Sequence, residues 1–416
     1  MSEVMVPEAT EPGVDDEATN DAAWARWLRT PAAIRARTGR LLEFGVAGRL
    51  PHFVVRPERL DAVADRVAAV TRRAYPDLDI PVHGRFTHFD VGGVARVAEL
   101  DAALAATGLD PVDKARAKID LVVVSVLLDA GAGPAWKYVE NGVSYARSEG
   151  LAVASLRMFM AGAFSSDPAR PLRADAAGLL ALSRAALAAG FQVSESNPLV
   201  GVDGRLALLQ GVGRVLPRPG ALYDRIAARA EGVTVRATDV LAEVLHGLGA
   251  IWPGRLSLAG INLGDVWPHS ALAAPEAPAH ARLVPFHKLS QWLSYSLFEP
   301  LEQAGLHVAG ADELTGLAEY RNGGLFVDLG VLELRDAHAY EVAHSPADEL
   351  VVEWRALTVA LLDRVAPLVR ARLGRPDLPL ANILQGGTWS AGREVAEEKR
   401  PGGAPPIRIA SDGTVF

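Results

Sequence analysis

The sequence predicts a mainly α-helical protein. Apolar residues recur every three or four positions in most long segments, few segments alternate with a period of two, and no internal repeat is evident. Half of the 416 residues are hydrophobic and 22 % are charged, which indicates a folded chain with a sizeable core. This length suits a single large helical domain, which we divide into two lobes at about residues 23–200 and 201–416.

Composition excludes several classes of function. The formal net charge of −8 argues against a nucleic-acid partner, which requires a basic surface. The absence of cysteine excludes disulfides, thiolate catalysis and cysteine-ligated metals. The longest apolar run, Leu121–Leu128, is far below the roughly 20 residues of a membrane span, and the acidic start is unlike a signal peptide. We therefore expect a cytoplasmic protein that binds neither membrane nor nucleic acid.

The elements follow in order from local signals. Residues 1–22, acidic and interrupted by prolines, predict a solvated tail. Thr30-Pro31 predicts a helix start, because a capping hydroxyl precedes a proline at the first helical position, and this helix ends near Gly45. Pro57 begins another helix. Further helices are predicted over 114–128 (with a strand as the alternative for its Val-rich end), 151–164, 175–191, 199–216, 239–248 and 348–373.

The segment Ile80–Asp90 is an unusually polar and aromatic loop. It contains His83, Arg85 and His88, a combination that suits binding of a phosphate or a sugar. The alternative is that the two histidines only cap neighbouring elements.

The next Gly-rich turn, 129–138, lacks the phosphate-loop and dinucleotide-binding patterns. Trp136, Trp252 and Trp267 predict core residues, with stacking on a planar ligand as the alternative for one of them.

The stretch Pro285–Asp328 carries the sharpest functional signal. An amphipathic helix presents Lys288 and Gln291 on a polar face, opposite a stripe of leucines and Trp292. It is followed by Glu319–Gly324, where an acid, a phenol, a guanidinium and an amide precede a flexible pair of glycines. We predict that these two pieces are opposing walls of one pocket.

The sequence lacks the metalloprotease, serine-hydrolase and kinase patterns. Catalysis by a carboxylate is therefore the mechanism that we expect. Glu319 has apolar neighbours, so burial should raise its pKa and suit it to acid–base work. The alternative is a structural ion pair between Glu319 and Lys288. Glu353 and Arg355 are predicted to form a structural pair. The histidines at 83, 88, 269 and 287, with Asp265, show no recognised metal-ligand spacing, so no metal is expected.

Several segments together resemble one family, the uracil-catabolism proteins of the second pyrimidine-degradation pathway. They are Ser148–Ser155, Ile251–Leu256, Val284–Leu297, Gly316–Leu332, Val351–Arg364 and Ser411–Phe416. The resemblance covers the chain from about Thr30 to Phe416. It implies a substrate derived from uracil, with ribosylurea or its phosphate as the expected intermediate.

A fainter resemblance is to the queuosine-salvage family, which is similar to DNA glycosylases in its helical fold and hydrolyses a nucleotide N-glycosidic bond. Three motifs carry it: Phe286-His287-Lys288 with Gln291, Leu314–Arg321, and Glu353 with Arg355. The catalytic aspartate of that family falls on Glu319, a longer carboxylate. His287 stands where that family has tyrosine, which implies a smaller or more polar base-like group.

Together these resemblances imply an N-glycosidase that releases urea from a ureido-ribose or nucleotide-derived substrate, without a cofactor. Glu319 would stabilise the cationic sugar, and Lys288 or His287 would protonate the leaving nitrogen. The implied binding residues are Tyr320, Arg321, Asn322, Gln291, Arg85, His88, Trp136, Glu149, Trp252, Arg255 and Asp265, with Arg85 or Arg255 on a phosphate. The alternatives are a hydrolase or lyase acting on another C–N bond, and a non-catalytic partner of other pathway enzymes.

Overall fold

Helices dominate the computed structural model, which describes residues 11–12, 17–129, 131–133, 135–252 and 256–410. The strands are two to four residues long and pair in twos, so the mainly α prediction is confirmed. Within these ranges no helix combines the length and the apolar character that crossing a membrane requires. The chain forms two compact units whose segments alternate along the sequence.

The first unit comprises residues 1–81, 254–288 and 311–410. Its α-helices are Glu17–Trp27, Pro31–Val46, Leu60–Ala74, Tyr320–Asp328, Glu349–Leu373, Leu380–Ile383 and Trp389–Lys399. Short 3-10 helices are Pro57–Arg59, Ser270–Leu272, Ala279–Arg282, Ala311–Glu313, Ala337–Tyr340 and Pro401–Gly403, and Leu384–Thr388 is a π-helical turn. Antiparallel pairs join Phe53–Val55 to Leu332–Leu334, Ser257–Leu258 to Ile261–Asn262, and Val266–Pro268 to Leu283–Pro285; Ala343–His344 and Arg408–Ile409 are parallel.

The helix Glu349–Leu373, termed here the central helix, is the centre of the first unit. It packs against the helices Pro31–Val46 and Leu60–Ala74. Every residue from Leu350 to Leu362 is buried, so this half of the helix is covered on all sides. Thr30 caps Pro31–Val46 as predicted, because its hydroxyl accepts the Ala33 N–H at 3.2 Å.

The second unit comprises residues 82–253 and 289–310. Its α-helices are Phe86–Phe89, Arg96–Ala106, Pro111–Leu127, Arg147–Met160, Ala176–Ala181, Arg184–Gly190, Val202–Val215, Leu222–Ala227, Ala237–Leu248 and all but the first residue of Lys288–Gln303. The 3-10 helices are Val91–Gly93, Pro219–Ala221 and Gly249–Ile251. Lys137–Glu140 and Val143–Ala146 form an antiparallel hairpin, and Thr234–Arg236 pairs in parallel with His307–Ala309.

Some predicted boundaries differ from the structure. Residues 17–22 belong to a helix rather than to the predicted tail, of which 1–10 and 13–16 lie outside the described residues. The Val-rich end of Pro111–Leu127 is helical, so the strand alternative is wrong. The predicted helix 175–191 is two helices, because Leu182 leaves the helical conformation and Ser183, in extended conformation, caps a new start. Residue 200, the predicted lobe boundary, lies inside the second unit.

Two further differences concern glycine pairs. Gly323 and Gly324, the pair predicted to be flexible, lie within the helix Tyr320–Asp328. A Cβ at Gly323 would lie 2.8 Å from atoms of Thr358 and Trp354, so close packing on the central helix requires glycine there. The second pair, at 386–387, precedes the helix Trp389–Lys399, which was not among the predicted helices.

Candidate functional site

Glu319 lies in the first unit as the N-cap of the helix Tyr320–Asp328. Its Oε1 accepts the Asn322 N–H at 2.6 Å and its Oε2 accepts the Arg321 N–H at 2.7 Å. These bonds satisfy two of the backbone donors that a helix start leaves without intrahelical partners. Each carboxylate oxygen has a second lone pair, so both can still accept a hydrogen bond from a ligand or water.

Glu319 is only 9 % exposed, and the pKa of its carboxyl group is raised to about 7. Burial is the main cause of this rise, and it acts by disfavouring the charged form of the carboxyl group. The Asn322 N–H and the charge of Lys288 oppose burial only in part. The group is therefore divided between acid and carboxylate near neutral pH, a state suited to proton transfer.

Lys288 begins the helix Lys288–Gln303, and a carboxylate fixes its backbone. The Lys288 N–H donates to Asp265 Oδ2 at 3.1 Å, and the Phe286 N–H donates to the Asp265 carbonyl at 3.0 Å. The Lys288 side chain is half-buried and its charge favours the ionised form of Glu319. The Lys288 charge therefore acts on Glu319, whereas the ion pair between them stays a prediction.

Asp265 holds this backbone and has no remaining capacity for a ligand. Arg355 donates to both of its oxygens, at 2.8 and 2.7 Å, and the Trp267 Nε1–H donates to Oδ1 at 2.7 Å. With the Lys288 N–H, each oxygen accepts two hydrogen bonds. Burial would raise the pKa of Asp265, but the Arg355 charge outweighs it and holds that pKa well below its usual range. We therefore correct the predicted ligand-binding role of Asp265 to a positioning role.

His287 is buried, with φ of 46°, in the left-handed region that non-glycine residues rarely adopt. Its Nε2–H donates to the Leu28 carbonyl at 2.8 Å. Burial lowers the pKa of the imidazole, and the Leu28 bond only partly offsets that shift. A neutral ring whose Nε2 proton is held by a carbonyl favours Lys288 over His287 as the proton donor.

Asn322 is the most unusual neighbour of Glu319. Its side chain is completely buried, and neither amide atom has a hydrogen-bond partner among the described residues. Arg321, by contrast, donates from Nη1 to the Gly403 carbonyl at 2.8 Å and lies over the Tyr320 ring at 4.9 Å. Asn322 therefore retains donors and an acceptor that a ligand can use, whereas Arg321 is partly occupied by structural contacts.

Glu353 and Arg355 are both structural, but they do not form the predicted pair with each other. Glu353 Oε1 accepts the Phe53 N–H at 2.7 Å, and its Oε2 contacts His269 Nε2 at 3.1 Å. Arg355 instead pairs with Asp265. Residues two apart on a helix face different directions, so the pairing is corrected.

The second unit gathers another set of the predicted residues around Arg85. Its guanidinium is fully buried, donates from Nε to Ser125 at 2.7 Å, and contacts Asp129 at 3.2 Å through Nη1. The same Nη1 donates to the Ser148 hydroxyl at 3.1 Å. Burial lowers the pKa of Arg85, and the charges of Asp129 and Glu149 oppose this shift.

Ser148 links Asp129 to His88. Its hydroxyl donates to Asp129 Oδ2 at 2.7 Å and lies 2.9 Å from His88 Nδ1. Arg85 Nη1 lies 3.3 Å from the same Nδ1 and can only donate, so the tautomer of His88 decides whether Nδ1 accepts from Arg85 or donates to Ser148. Ser148 is thus the middle member of the chain, unlike the nucleophile of a serine hydrolase.

The remaining predicted residues are less involved. Trp136 is completely buried and donates from Nε1 to the Phe191 carbonyl at 2.9 Å, so the core prediction for it is confirmed and its ligand-binding role is corrected. Gln291 is buried in the second unit, and Trp252 is half-buried. Arg255 lies outside the described residues.

The structure therefore brings together two sets of predicted residues, one in each unit. Glu319, Lys288 and Asn322 belong to the first, and Arg85 with His88 to the second. The predicted pocket with opposing walls stays a prediction. Sequence reasoning did not select Asp129, Ser148 or Trp292 as site residues. Asp129 comes just after the buried helix Pro111–Leu127, and this position in the sequence was the signal that could have marked it as a candidate site residue.

The first set can exchange a proton near neutral pH and offers a cation and an amide beside it. Within the described ranges, no three His, Asp or Glu side chains gather closely enough to hold a metal ion.

Comparison with known proteins gives three findings. A family described as "Protein of unknown function (DUF1688)" matches residues 27–416. "Protein urg3" of Schizosaccharomyces pombe is 42 % identical over 394 residues, covering 92 % of this chain and 96 % of that protein. "Uracil catabolism protein 4" of Lachancea kluyveri is 39 % identical over 433 residues, covering 94 % of this chain and 98 % of that protein.

Proposed function

The chain belongs to the DUF1688 family, and from this membership and the setting of Glu319 we propose that it is an N-glycosidase of uracil catabolism. The name of the Lachancea kluyveri relative supports the role in uracil catabolism. The proposed reaction is hydrolysis of the ribose–nitrogen bond of ribosylurea or its 5′-phosphate. The products are urea and ribose or ribose phosphate.

The observation that carries this proposal is the buried carboxyl of Glu319 with its pKa of about 7. Breaking the bond between C1′ and nitrogen develops positive charge on the sugar, which a fixed carboxylate stabilises in a site of low polarity. The same carboxylate accepts a proton from the water whose oxygen bonds to C1′. Its oxygens retain acceptor capacity for that water.

Lys288 takes the role of proton donor. Urea is a poor leaving group as an anion, so the departing nitrogen needs a proton as the bond breaks. The ammonium group of Lys288, whose charge acts on Glu319, supplies it, and the proton that Glu319 takes from water restores the balance. Asp265 supports this role by fixing the Lys288 backbone at 3.1 Å.

Asn322 provides recognition beside Glu319. A buried amide without partners in the described part of the chain costs free energy, about 1–3 kcal/mol for each unsatisfied group. A substrate hydroxyl or ureido group that pairs with this amide recovers that free energy on binding. This supports a polar, uncharged substrate group next to the carboxylate.

The test is Glu319→Gln with ribosylurea and with its 5′-phosphate. Because glutamine keeps the size of the side chain but cannot take a proton, we expect binding to persist and turnover to fall at least about 100-fold. Mass spectrometry should identify urea and a reducing sugar as products of the wild-type enzyme.

Asp110→Asn is the matched control, because Asp110 also caps a helix, accepting the Asp113 N–H at 2.8 Å, but is exposed. It should leave turnover unchanged. A Glu319→Gln variant with wild-type turnover contradicts the role of Glu319. Ammonia or a carbamate as product contradicts glycosidic cleavage and favours another C–N hydrolase, whereas a purified wild-type protein without turnover on either compound favours a non-catalytic partner.

A further inference from the structure

Arg85 keeps one donor unused at the centre of the second unit. Its Nε and Nη1 are occupied by Ser125, Ser148 and Asp129. Its Nη2 is buried and has no acceptor among the residues that the structure describes. A buried guanidinium N–H without an acceptor is costly, so such a group marks a place where an acceptor is missing.

Trp292 provides a second unused donor beside it. Its ring centroid lies 5.4 Å from the Arg85 guanidinium carbon and 5.5 Å from the His88 ring, and its Nε1–H also lacks an acceptor in the described part of the chain. Ser296 fixes the two elements together. Its hydroxyl accepts a hydrogen bond from the backbone N–H of Arg85 at 2.9 Å and donates one to the backbone carbonyl of Trp292 at 2.7 Å.

Among the residues that the structure describes, two carboxylates oppose the positive charge at these donors. The charge of Asp129 acts on both Arg85 and Arg205, and the charge of Glu149 acts on Arg85. A phosphate brought to Arg85 would therefore meet two carboxylates and little uncompensated positive charge. An uncharged ligand meets no such repulsion.

The carboxylates also supply acceptors at the edge of the cluster. Asp129 retains 11 % of its side-chain exposure, and Ser148 and Glu149 are half-buried, so the cluster is reached from solvent on this side. Buried donors together with partly exposed acceptors match a group that contains both a carbonyl oxygen and N–H bonds.

We propose that the Arg85–Trp292 cluster of the second unit is a binding site for an uncharged amide or ureide. The carbonyl oxygen of the ligand accepts hydrogen bonds from Arg85 Nη2 and Trp292 Nε1. Its N–H groups donate to Asp129 or Glu149. The site therefore selects a ureide over a phosphate, in contrast to the phosphate-binding role predicted for Arg85 from the sequence.

The test follows the eight tryptophan indole N–H resonances of the full-length protein by 1H–15N NMR. Trp292→Phe identifies the Trp292 resonance and removes its donor while keeping an aromatic ring. The probes are uracil and ribosylurea, the latter with Glu319→Gln so that it is not consumed, and inorganic phosphate. We expect the two ureides to move the Trp292 resonance downfield and phosphate to leave it in place.

Affinity for uracil should fall about three- to tenfold in Trp292→Phe, as expected for the loss of one hydrogen bond, and about tenfold or more in Arg85→Lys. Trp24→Phe is the control, because the Trp24 Nε1–H is likewise buried without an acceptor among the described residues but belongs to the first unit. It should bind uracil as the wild type does. The other indole resonances report whether each variant is folded.

A Trp292 resonance that stays in place with both ureides overturns the proposal, and so does a response to phosphate as large as the response to ureides. An ordered water that satisfies both donors would give the first of these results. The inference does not rest on the chemistry of Glu319. Ureide binding without turnover would refute the proposed function alone, and Glu319-dependent turnover with an unresponsive Trp292 would refute this inference alone.

Discussion

At the scale of single residues, two buried carboxylates of the first unit differ because their partners differ. Burial acts on both Glu319 and Asp265 and disfavours their charged forms. Asp265 receives a bidentate contact from Arg355, which overcomes burial, whereas Glu319 has two backbone N–H bonds and the more weakly acting charge of Lys288. Asp265 is therefore a fixed anion, and Glu319 is a group that titrates.

The raised pKa of Glu319 predicts a pH dependence of stability. The folded state holds this proton up to about pH 7, whereas the unfolded state releases it near its ordinary pKa of 4.5. The folded state therefore binds more protons in this interval, and the free energy of unfolding falls as pH rises through it. From about pH 5 to about pH 8 the contribution of Glu319 amounts to roughly 2 kcal/mol.

Urea denaturation of the wild type and of Glu319→Gln across this interval measures the effect. Glutamine does not titrate, so the stability of the variant relative to the wild type should increase with pH. Subtracting the two curves removes the contributions of the other titrating groups. A difference that is independent of pH would contradict a raised pKa at this position.

At the scale of elements, tertiary packing overrides local preference in the helix Tyr320–Asp328. Two consecutive glycines disfavour a helix, yet both are helical here. A Cβ at Gly324 would lie 3.1 Å from Pro406, and one at Gly323 would be closer still to Trp354. Glycine is needed because the helix lies so close to its neighbours, and that proximity also buries Asn322.

Gly323→Ala is therefore expected to destabilise the protein by about 1–3 kcal/mol, because the added methyl group overpacks the contact with the central helix. Gly39→Ala is the matched control. Gly39 lies inside the helix Pro31–Val46, and a Cβ added there would meet none of its described neighbours in the rest of the protein within 4 Å, so alanine should stabilise by about 0.5–1 kcal/mol. Urea midpoints of the two variants measure both effects. Equal shifts of the same sign would contradict the packing argument.

At the scale of the whole molecule, each unit is assembled from distant parts of the chain. In the first unit, the helices Pro31–Val46 and Leu60–Ala74 bury their apolar faces against the central helix, which follows more than 200 residues later. Neither half of the sequence contains a complete unit.

Separation of the chain after residue 200 should therefore abolish folding of both fragments. Fragment 1–200 leaves Ile34, Leu41 and Val67 without the central helix, and these side chains are buried in the intact chain. We expect no cooperative urea transition and little near-ultraviolet circular dichroism from either fragment alone. Coexpression should restore the signal. A cooperative transition of fragment 1–200 by itself would contradict the interleaved arrangement.

Much of the fold could be predicted from local sequence. The Thr30-Pro31 start follows from its capping residue, and the helices predicted over 114–128 and 348–373 follow from their apolar residues, signals that act within a few residues. The break at Leu182 and the helix Trp389–Lys399 were missed. The first needed recognition of Ser183 as a cap, and the second has few apolar positions.

The candidate site divides in the same way. Residue order alone establishes that Glu319 has apolar neighbours, that Lys288 begins a polar helix face, and that no cysteine takes part in chemistry. The pairing of Arg355 with Asp265, the burial of the Asn322 amide and the meeting of Arg85 with Trp292 emerge only from the folded chain. The physical reason is that burial and ion pairing depend on residues far apart in sequence, which local periodicity does not specify.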